Sequence, residues 1–198
     1  MLKRVFDLSI SLVLLAVFSP LMMAIVILIK LTSKGPVLYR GVRTGKNGLP
    51  FEMLKFRTMV PDAERLGGTS TGLSDSRVTS VGRVLRAWKL DELPQLINVV
   101  RADMSLVGPR PEVEEYTRLY EGEELRILSV LPGITDYASI EFADLASHLG
   151  AIEPDLVYAQ HVRPRKNQLR LRYVNEQGFR TDLRILLATL ATVIRRGR

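Results

Sequence analysis

Apolar residues fill the first thirty positions almost without interruption. Between Arg4 and Lys30 lie 25 residues, of which Asp7 is the only charged one. About 20 apolar residues let a helix cross a bilayer, so the length permits a span. Ser19-Pro20 stands near the centre of this run. Proline removes a backbone donor and clashes with the preceding turn, which predicts a bend there. The Ser19 hydroxyl is placed to bond a carbonyl that the break frees. Both flanks are positive: Lys3 and Arg4 precede the run, and Lys30, Lys34, Arg40, Arg43 and Lys46 follow it. The positive-inside tendency puts both ends on the cytoplasmic side. That favours a helix which dips in and returns, with arms of roughly 15–20 Å at 1.5 Å per residue. Hydropathy alone leaves a kinked spanning helix equally open. A signal peptide fits less well, because the run is too long and no small-residue cleavage site follows it.

The pattern then shortens. Gly35-Pro36 marks a turn, and Val37 to Arg43 and Phe51 to Met59 read as two strands joined at Lys46-Asn47-Gly48. On the second strand Lys55 and Arg57 share a face. A phosphate between them suits both cations, although the pair alone reads first as solvated edge-strand charge. Pro61 to Leu66 allows a short helix, and Gly67 to Gly72 a loop that serves as lid or linker. Val81, Val84, Leu85 and Trp88 recur at helical spacing with Arg83, Arg86 and Lys89 on other faces. This predicts a basic amphipathic helix, lying in a membrane interface or packed on the core. Further helices are expected over Glu123 to Leu131, Ala143 to Leu149 and Asp182 to Arg196. Arg163, Arg165 and Lys166 around Pro164 read first as a solvated basic loop, with contact to lipid head groups or nucleotide as the alternative. The fold class is therefore mixed α/β, of the α+β kind. Residues 1–33 form a re-entrant membrane helix broken at Ser19-Pro20. Residues 34–198 are expected to form a cytoplasmic domain with a β-hairpin and several amphipathic surface helices.

Composition narrows the partners. At 198 residues the chain suits one compact domain with an appendage. A net charge of +7 points to an anionic partner. The absence of cysteine excludes disulfides, thiolate catalysis and cysteine-type zinc sites. Nucleic-acid binding suits the charge but finds no recognisable motif and few interleaved aromatics. Anionic membrane lipids and phosphorylated substrates remain, and a homo-oligomer stays open.

Candidate chemistry centres on Lys89-Leu90-Asp91-Glu92-Leu93-Pro94-Gln95. An Asp just before a proline-containing first turn is a common N-cap. The same position keeps a carboxylate ionised through free N–H groups and the helix dipole. Such a carboxylate beside Mg²⁺ can attack phosphorus, and its neighbour can act as general base. Mg²⁺ normally takes one or two carboxylates together with phosphate oxygens. Downstream, Pro109 and Pro111 stiffen the backbone around Arg110, a side chain suited to phosphate.

In order along the chain, Lys3-Arg4-Val5-Phe6-Asp7, Ser19-Pro20, Gly35-Pro36-Val37, Lys55-Phe56-Arg57-Thr58-Met59, Leu90 to Val99, Asp103 to Pro111 and Pro132-Gly133-Ile134-Thr135 resemble the bacterial sugar transferase family, the small monotopic phosphoglycosyl transferases. The resemblance implies an enzyme on the cytoplasmic face of the bacterial inner membrane. It would move a sugar-1-phosphate from a UDP-sugar to undecaprenyl phosphate and release UMP. It assigns Asp91 as covalent nucleophile and Mg²⁺ contact, and Glu92 as the base for the acceptor. Lys55, Arg57, Arg86 and Arg110 become candidate phosphate contacts. Two departures stand out: Asp136-Tyr137-Ala138-Ser139 where Gly-Trp-Ala-Gln is frequent, and Lys89 where serine is common. The competing reading is a non-enzymatic membrane-surface module that binds anionic lipid.

Overall fold

The computed structural model describes residues 2–63, 75–145 and 154–196. Helix α1 runs from Leu2 to Thr32 with Pro20 inside it. Proline offers no N–H to the carbonyl four residues back, which here belongs to Ala16. The Ser19 hydroxyl donates to that carbonyl at 2.8 Å. The orphaned acceptor is thus satisfied, and α1 continues past Pro20 as one element of 31 residues.

Both halves of α1 pack on the same body. Phe6, Ile10, Leu14 and Leu15 lie against a core that includes Met53, Leu96, Val99, Met104, Leu106, Tyr173 and Ile185. Ile25 and Ile29 belong to a second cluster with Phe56 and Leu85, and Leu93 touches both clusters. Polar bonds fasten the helix start. Arg4 donates to the carbonyls of Val99 and Val100 at 2.5 and 2.9 Å. Lys3 reaches Asp182 at 2.5 Å and the Val107 carbonyl at 3.2 Å. Asp7, 2 % exposed, accepts the Ser105 hydroxyl at 2.7 Å. Its place in an otherwise apolar run is explained by this bond, since a buried carboxylate needs a partner. Leu12, Val13, Val17, Leu21, Met23, Ile27 and Leu28 remain exposed on the outer surface of α1.

The hairpin forms as the alternation predicts. β1 (Leu38–Thr44) and β2 (Pro50–Phe56) pair antiparallel, with Leu38 opposite Phe56 and Thr44 opposite Pro50. The turn needs positive φ at Asn47 (59°) and Gly48 (77°), residues that tolerate it. The second strand is shorter than expected: beyond Phe56, Met59 makes only an isolated bridge to Val78.

α2 (Ser80–Ala87) is capped by Thr79, whose hydroxyl accepts the Gly82 N–H at 2.9 Å. Of its predicted apolar face Leu85 is buried, whereas Val84 and Trp88 are 59 % and 47 % exposed. A 3₁₀ turn over Leu90–Glu92 leads to α3 (Gln95–Val100). β3 (Ser105–Val107) and β4 (Gly133–Thr135) form a parallel pair that the sequence pattern does not predict. Each strand has three residues, too few for a readable alternation. Close backbone approach makes glycine necessary there: a Cβ on Gly133 would lie 2.0 Å from the Gly108 nitrogen.

α4 (Glu114–Thr117) follows β3. The segment expected as an α-helix from Glu123 is a 3₁₀ run over Gly122–Ser129. α5 (Tyr137–Glu141) follows β4. α6 (Pro154–Val157), a π-helical turn (Tyr158–Val162) and α7 (Arg163–Glu176) succeed one another directly. The solvated loop expected around Pro164 is instead helix, with Pro164 just past the junction between the π-helical turn and α7. α8 (Phe179–Arg196) closes the chain. The loop expected at Gly67 to Gly72, and most of the helices expected from Pro61 and from Ala143, lie outside the described residues.

Candidate active site

The carboxylate pair is held from two sides. Lys89, in the left-handed region at φ 57°, turns the chain out of α2 and into the 3₁₀ turn that carries Asp91 and Glu92. α3 is then fixed to β2 through Asn98. Its side-chain oxygen accepts the Leu54 N–H at 2.9 Å, and its amide donates to the Glu52 carbonyl at 2.7 Å. This bolt sets β2 beside the turn, and Lys55 donates to Glu92 Oε1 at 3.1 Å.

Arg110 reaches the same oxygen from the other side. Its Nη2 donates to Glu92 Oε1 at 2.5 Å and its Nη1 to the Ile134 carbonyl at 2.9 Å. The Arg110 backbone N–H donates to Asp136 Oδ2 at 3.1 Å. Asp136 Oδ1 caps α5 by accepting the Ser139 N–H and hydroxyl, each at 2.6 Å. The departure at Asp136 to Ser139 thus buttresses the arginine. Asp-x-x-Ser is a capping spacing, so this function was readable in the sequence, yet the sequence reading missed it.

The two carboxylates have opposite environments. Burial opposes ionisation of Glu92, but the charges of Arg110, Lys55 and Lys89 outweigh it and hold the group well below the usual carboxylate range. Asp91 is 6 % exposed, and burial pushes its pKa up against the pull of Lys55. The sequence expectation of an Asp91 N-cap held ionised by a helix dipole is corrected here. Pro94, not Asp91, stands at the N-cap of α3, with no side-chain cap bond, and Asp91 lies in the preceding 3₁₀ turn. The intervening proline shifts the helix start beyond the carboxylates.

Among the described residues Asp91 Oδ1 is buried with no hydrogen-bond partner. That leaves a carboxylate oxygen open to a cation. A site with one or two carboxylates fits Mg²⁺ better than most metals, because Mg²⁺ keeps waters and shares phosphate oxygens.

The remaining expected phosphate contacts separate. Arg86 Nε donates to the Thr58 hydroxyl at 2.9 Å and contributes charge at Asp91. Arg57 instead caps the end of α1, donating to the carbonyls of Ser33 and Lys34 at 3.0 and 2.7 Å and to the Ser33 hydroxyl at 2.7 Å. Gly35 at φ 109° makes room for it, since a Cβ there would meet the Arg57 guanidinium at 2.3 Å. Structure thus joins Lys55, Asp91, Glu92 and Arg110 and leaves Arg57 at the end of α1. Lys166, in the sequence one member of a basic cluster, joins the site in the structure. It reaches the same cavity wall as Glu92 and Arg110, and burial, with Arg170 nearby, pushes its ammonium down to about 8. No periodicity marks it in the sequence.

With this geometry in view, the comparisons agree with one another. The bacterial sugar transferase family matches residues 1–196, and the chain belongs to that family. It is 35 % identical over 193 residues to the uncharacterised sugar transferase EpsL of Bacillus subtilis, covering 98 % of this chain and 87 % of that protein. It is 36 % identical over 195 residues to the UDP-glucose:undecaprenyl-phosphate glucose-1-phosphate transferase of Caulobacter vibrioides, covering 97 % of this chain and 69 % of the relative. The Escherichia coli protein with the same activity in its name is 43 % identical over 144 residues, which span 71 % of this chain and 31 % of that longer protein. Family membership and the long apolar helix near the N-terminus, the one such helix among the described residues, fit a membrane-associated transferase.

Proposed function

We propose that this chain transfers a sugar-1-phosphate from a UDP-sugar to undecaprenyl phosphate at the cytoplasmic face of the bacterial inner membrane, through a covalent Asp91 intermediate. The carrying observation is the pair of unlike carboxylates: Asp91 is buried with an unpartnered oxygen, and Glu92 is clamped by Lys55 and Arg110. Named relatives that carry out such transfers support the reading.

Burial makes the Asp91 carboxylate more basic and so a better nucleophile. In the first step an Asp91 oxygen bonds to the donor's β-phosphorus while the bond to the bridging oxygen breaks, and UMP leaves with those electrons. In the second, an oxygen of the acceptor phosphate bonds to the same phosphorus, the acyl-phosphate bond breaks, and Asp91 is restored as carboxylate. Lys55 and Arg110 neutralise phosphate oxygens as charge shifts. Glu92 holds those two cations in place before substrate arrives. A bound phosphate that draws them away raises its basicity, and it then accepts any proton left on the acceptor. Asp91, whose Oδ1 has no partner among the described residues, would hold Mg²⁺, which when bound would supply charge neutralisation for the departing UMP.

Both halves of α1 packing on one body supports a re-entrant reading, with residues 34–198 on the same side as the N-terminus. The test is a panel of UDP-sugars assayed for UMP release, with mass measurement of protein trapped with donor alone. The wild type is expected to gain the mass of one phosphosugar at Asp91. Asp91→Asn should lose adduct and turnover while still binding membranes. Turnover without an adduct rejects the two-step route, and membrane binding by the wild type with no UMP release from any UDP-sugar favours the lipid-binding alternative.

A further inference from the structure

Next to the carboxylates lies a cavity of about 340 Å³. Leu14 and Phe18 of α1, Ile140 and Phe142 near α5, and Val193 of α8 give it apolar walls. Lys89, Arg110, Lys166 and Arg170 supply its cationic lining, and among the described residues Glu92 is the one lining carboxylate; Asp91 is not among the lining residues. Arg110 is paired with Glu92, and Arg170 with Glu112 at 2.6 Å. Lys166 is held differently. Its ammonium sits 4.9 Å from the Tyr158 ring centre and 5.7 Å from that of Phe142. Tyr158 is itself fixed by its hydroxyl donating to Glu112 at 2.8 Å. Among the described residues no hydrogen bond or ion pair reaches the Lys166 ammonium, so a cation steadied by two rings faces an apolar-walled space. Burial and the nearby charge of Arg170 push the ammonium pKa down against the pull of Glu112, since a buried charge with no bonded anion is unfavourable.

We infer that this cavity is the acceptor site, with Lys166 binding the phosphate of a polyprenyl monophosphate and the α1 and α8 walls holding its first isoprene units. The inference rests on the transfer reaction proposed above. An amphiphile with one anionic group matches a cavity whose charged lining is mostly cationic and whose remaining lining is mostly apolar, with the hydroxyls of Thr135, Ser139, Thr189 and Thr192 among it. A nucleotide sugar, polar along its whole length, does not. Two of the walls are helices whose outer faces are exposed and apolar: Val13, Val17 and Leu21 on α1, and Leu183, Leu187, Leu190 and Ile194 on α8. The ligand that such helices meet is a lipid. The volume lies near the lower end for small-molecule sites, about 300–1,000 Å³, enough for a head group and the start of a chain. It follows that the two carboxylates serve different substrates: Glu92 faces the acceptor, and Asp91 works from the donor side.

Two experiments on the full-length chain in lipid nanodiscs test this. Lys166→Met should raise KM for the polyprenyl phosphate about tenfold, the size expected for a lost charge-assisted bond, with UMP release from donor alone unchanged. Lys166→Arg should recover most of the loss. A rise in donor KM instead, or an unmoved acceptor KM, overturns the inference. Independently of turnover, a diazirine-bearing short polyprenyl phosphate should label peptides containing Phe142 or Val193. Unlabelled polyprenyl phosphate should compete, and phosphatidylglycerol or inorganic phosphate should not. Normal turnover with labelling elsewhere removes this site and leaves the reaction standing. Labelling here with no UMP release from any UDP-sugar does the reverse.

Discussion

Glu112 repeats, two residues after Arg110, the lesson that a buried carboxylate is defined by its partners. It accepts from Arg170 at 2.6 Å and from the Tyr158 hydroxyl at 2.8 Å, and all but 8 % of it is buried. Burial alone would raise its pKa, but Arg170 and the hydrogen bonds lower it below the ordinary glutamate value. A depressed folded-state pKa means stability that is present above the unfolded value, about 4.3, and lost as pH falls through the folded one. Thermal melts of the wild type should therefore fall on acidification below about pH 4. Glu112→Gln should be less stable at pH 7 by about 3–5 kcal/mol, because Arg170 is left buried without its counter-charge, and its melting curve should flatten across the acid range. A parallel pH dependence in variant and wild type would exclude Glu112 as the source. None of this was legible from the sequence: Glu112 and Arg170 are 58 positions apart, and nothing local in either segment announces the other. Asp91 and Glu92, by contrast, were legible as a pair, because their chemistry needs only adjacency; which of them is clamped and which is left bare was not.

α1 shows how an element can be predicted by composition and still leave its course to packing. Its apolar length and central proline are plain in the sequence, and the Ser19 hydroxyl does accept the task of satisfying the Ala16 carbonyl. Its two halves meet the same body near Leu93, while the outward residues between them stay exposed. On the re-entrant reading, cysteines introduced at Leu2 and at Lys34 should both resist a membrane-impermeant thiol reagent in intact cells and both react after permeabilisation. Labelling of one end only would establish a spanning helix. The short parallel pair β3 and β4 carries the opposite message. Three-residue strands have no period to read, and they exist because Gly108 and Gly133 allow two backbones to approach closely.

At the scale of the whole molecule, positive charge and apolar surface act together. α8 exposes Leu183, Leu187, Leu190 and Ile194 along one stripe, and α1 and Trp88 add further exposed apolar groups. Contiguous apolar exposure on this scale marks a binding or membrane surface. Leu187→Glu with Leu190→Glu should move the protein toward the soluble fraction in flotation assays, since each loses apolar contact and adds a charge that must leave the head-group region. Donor-only UMP release in detergent should persist, because neither residue lines the site. Unchanged flotation would confine membrane contact to α1. By itself the sequence determined the elements whose cause is local: the apolar N-terminal helix, the hairpin with its positive-φ turn, the capped basic helix, and an adjacent carboxylate pair with a stiffened arginine downstream. Only the tertiary structure decided which cations reach which carboxylate, and that Arg57 holds a helix end and Lys166 a cavity wall. Those outcomes depend on burial and on distances between segments far apart in the chain, and the free energy of an ion is set by what surrounds it in space.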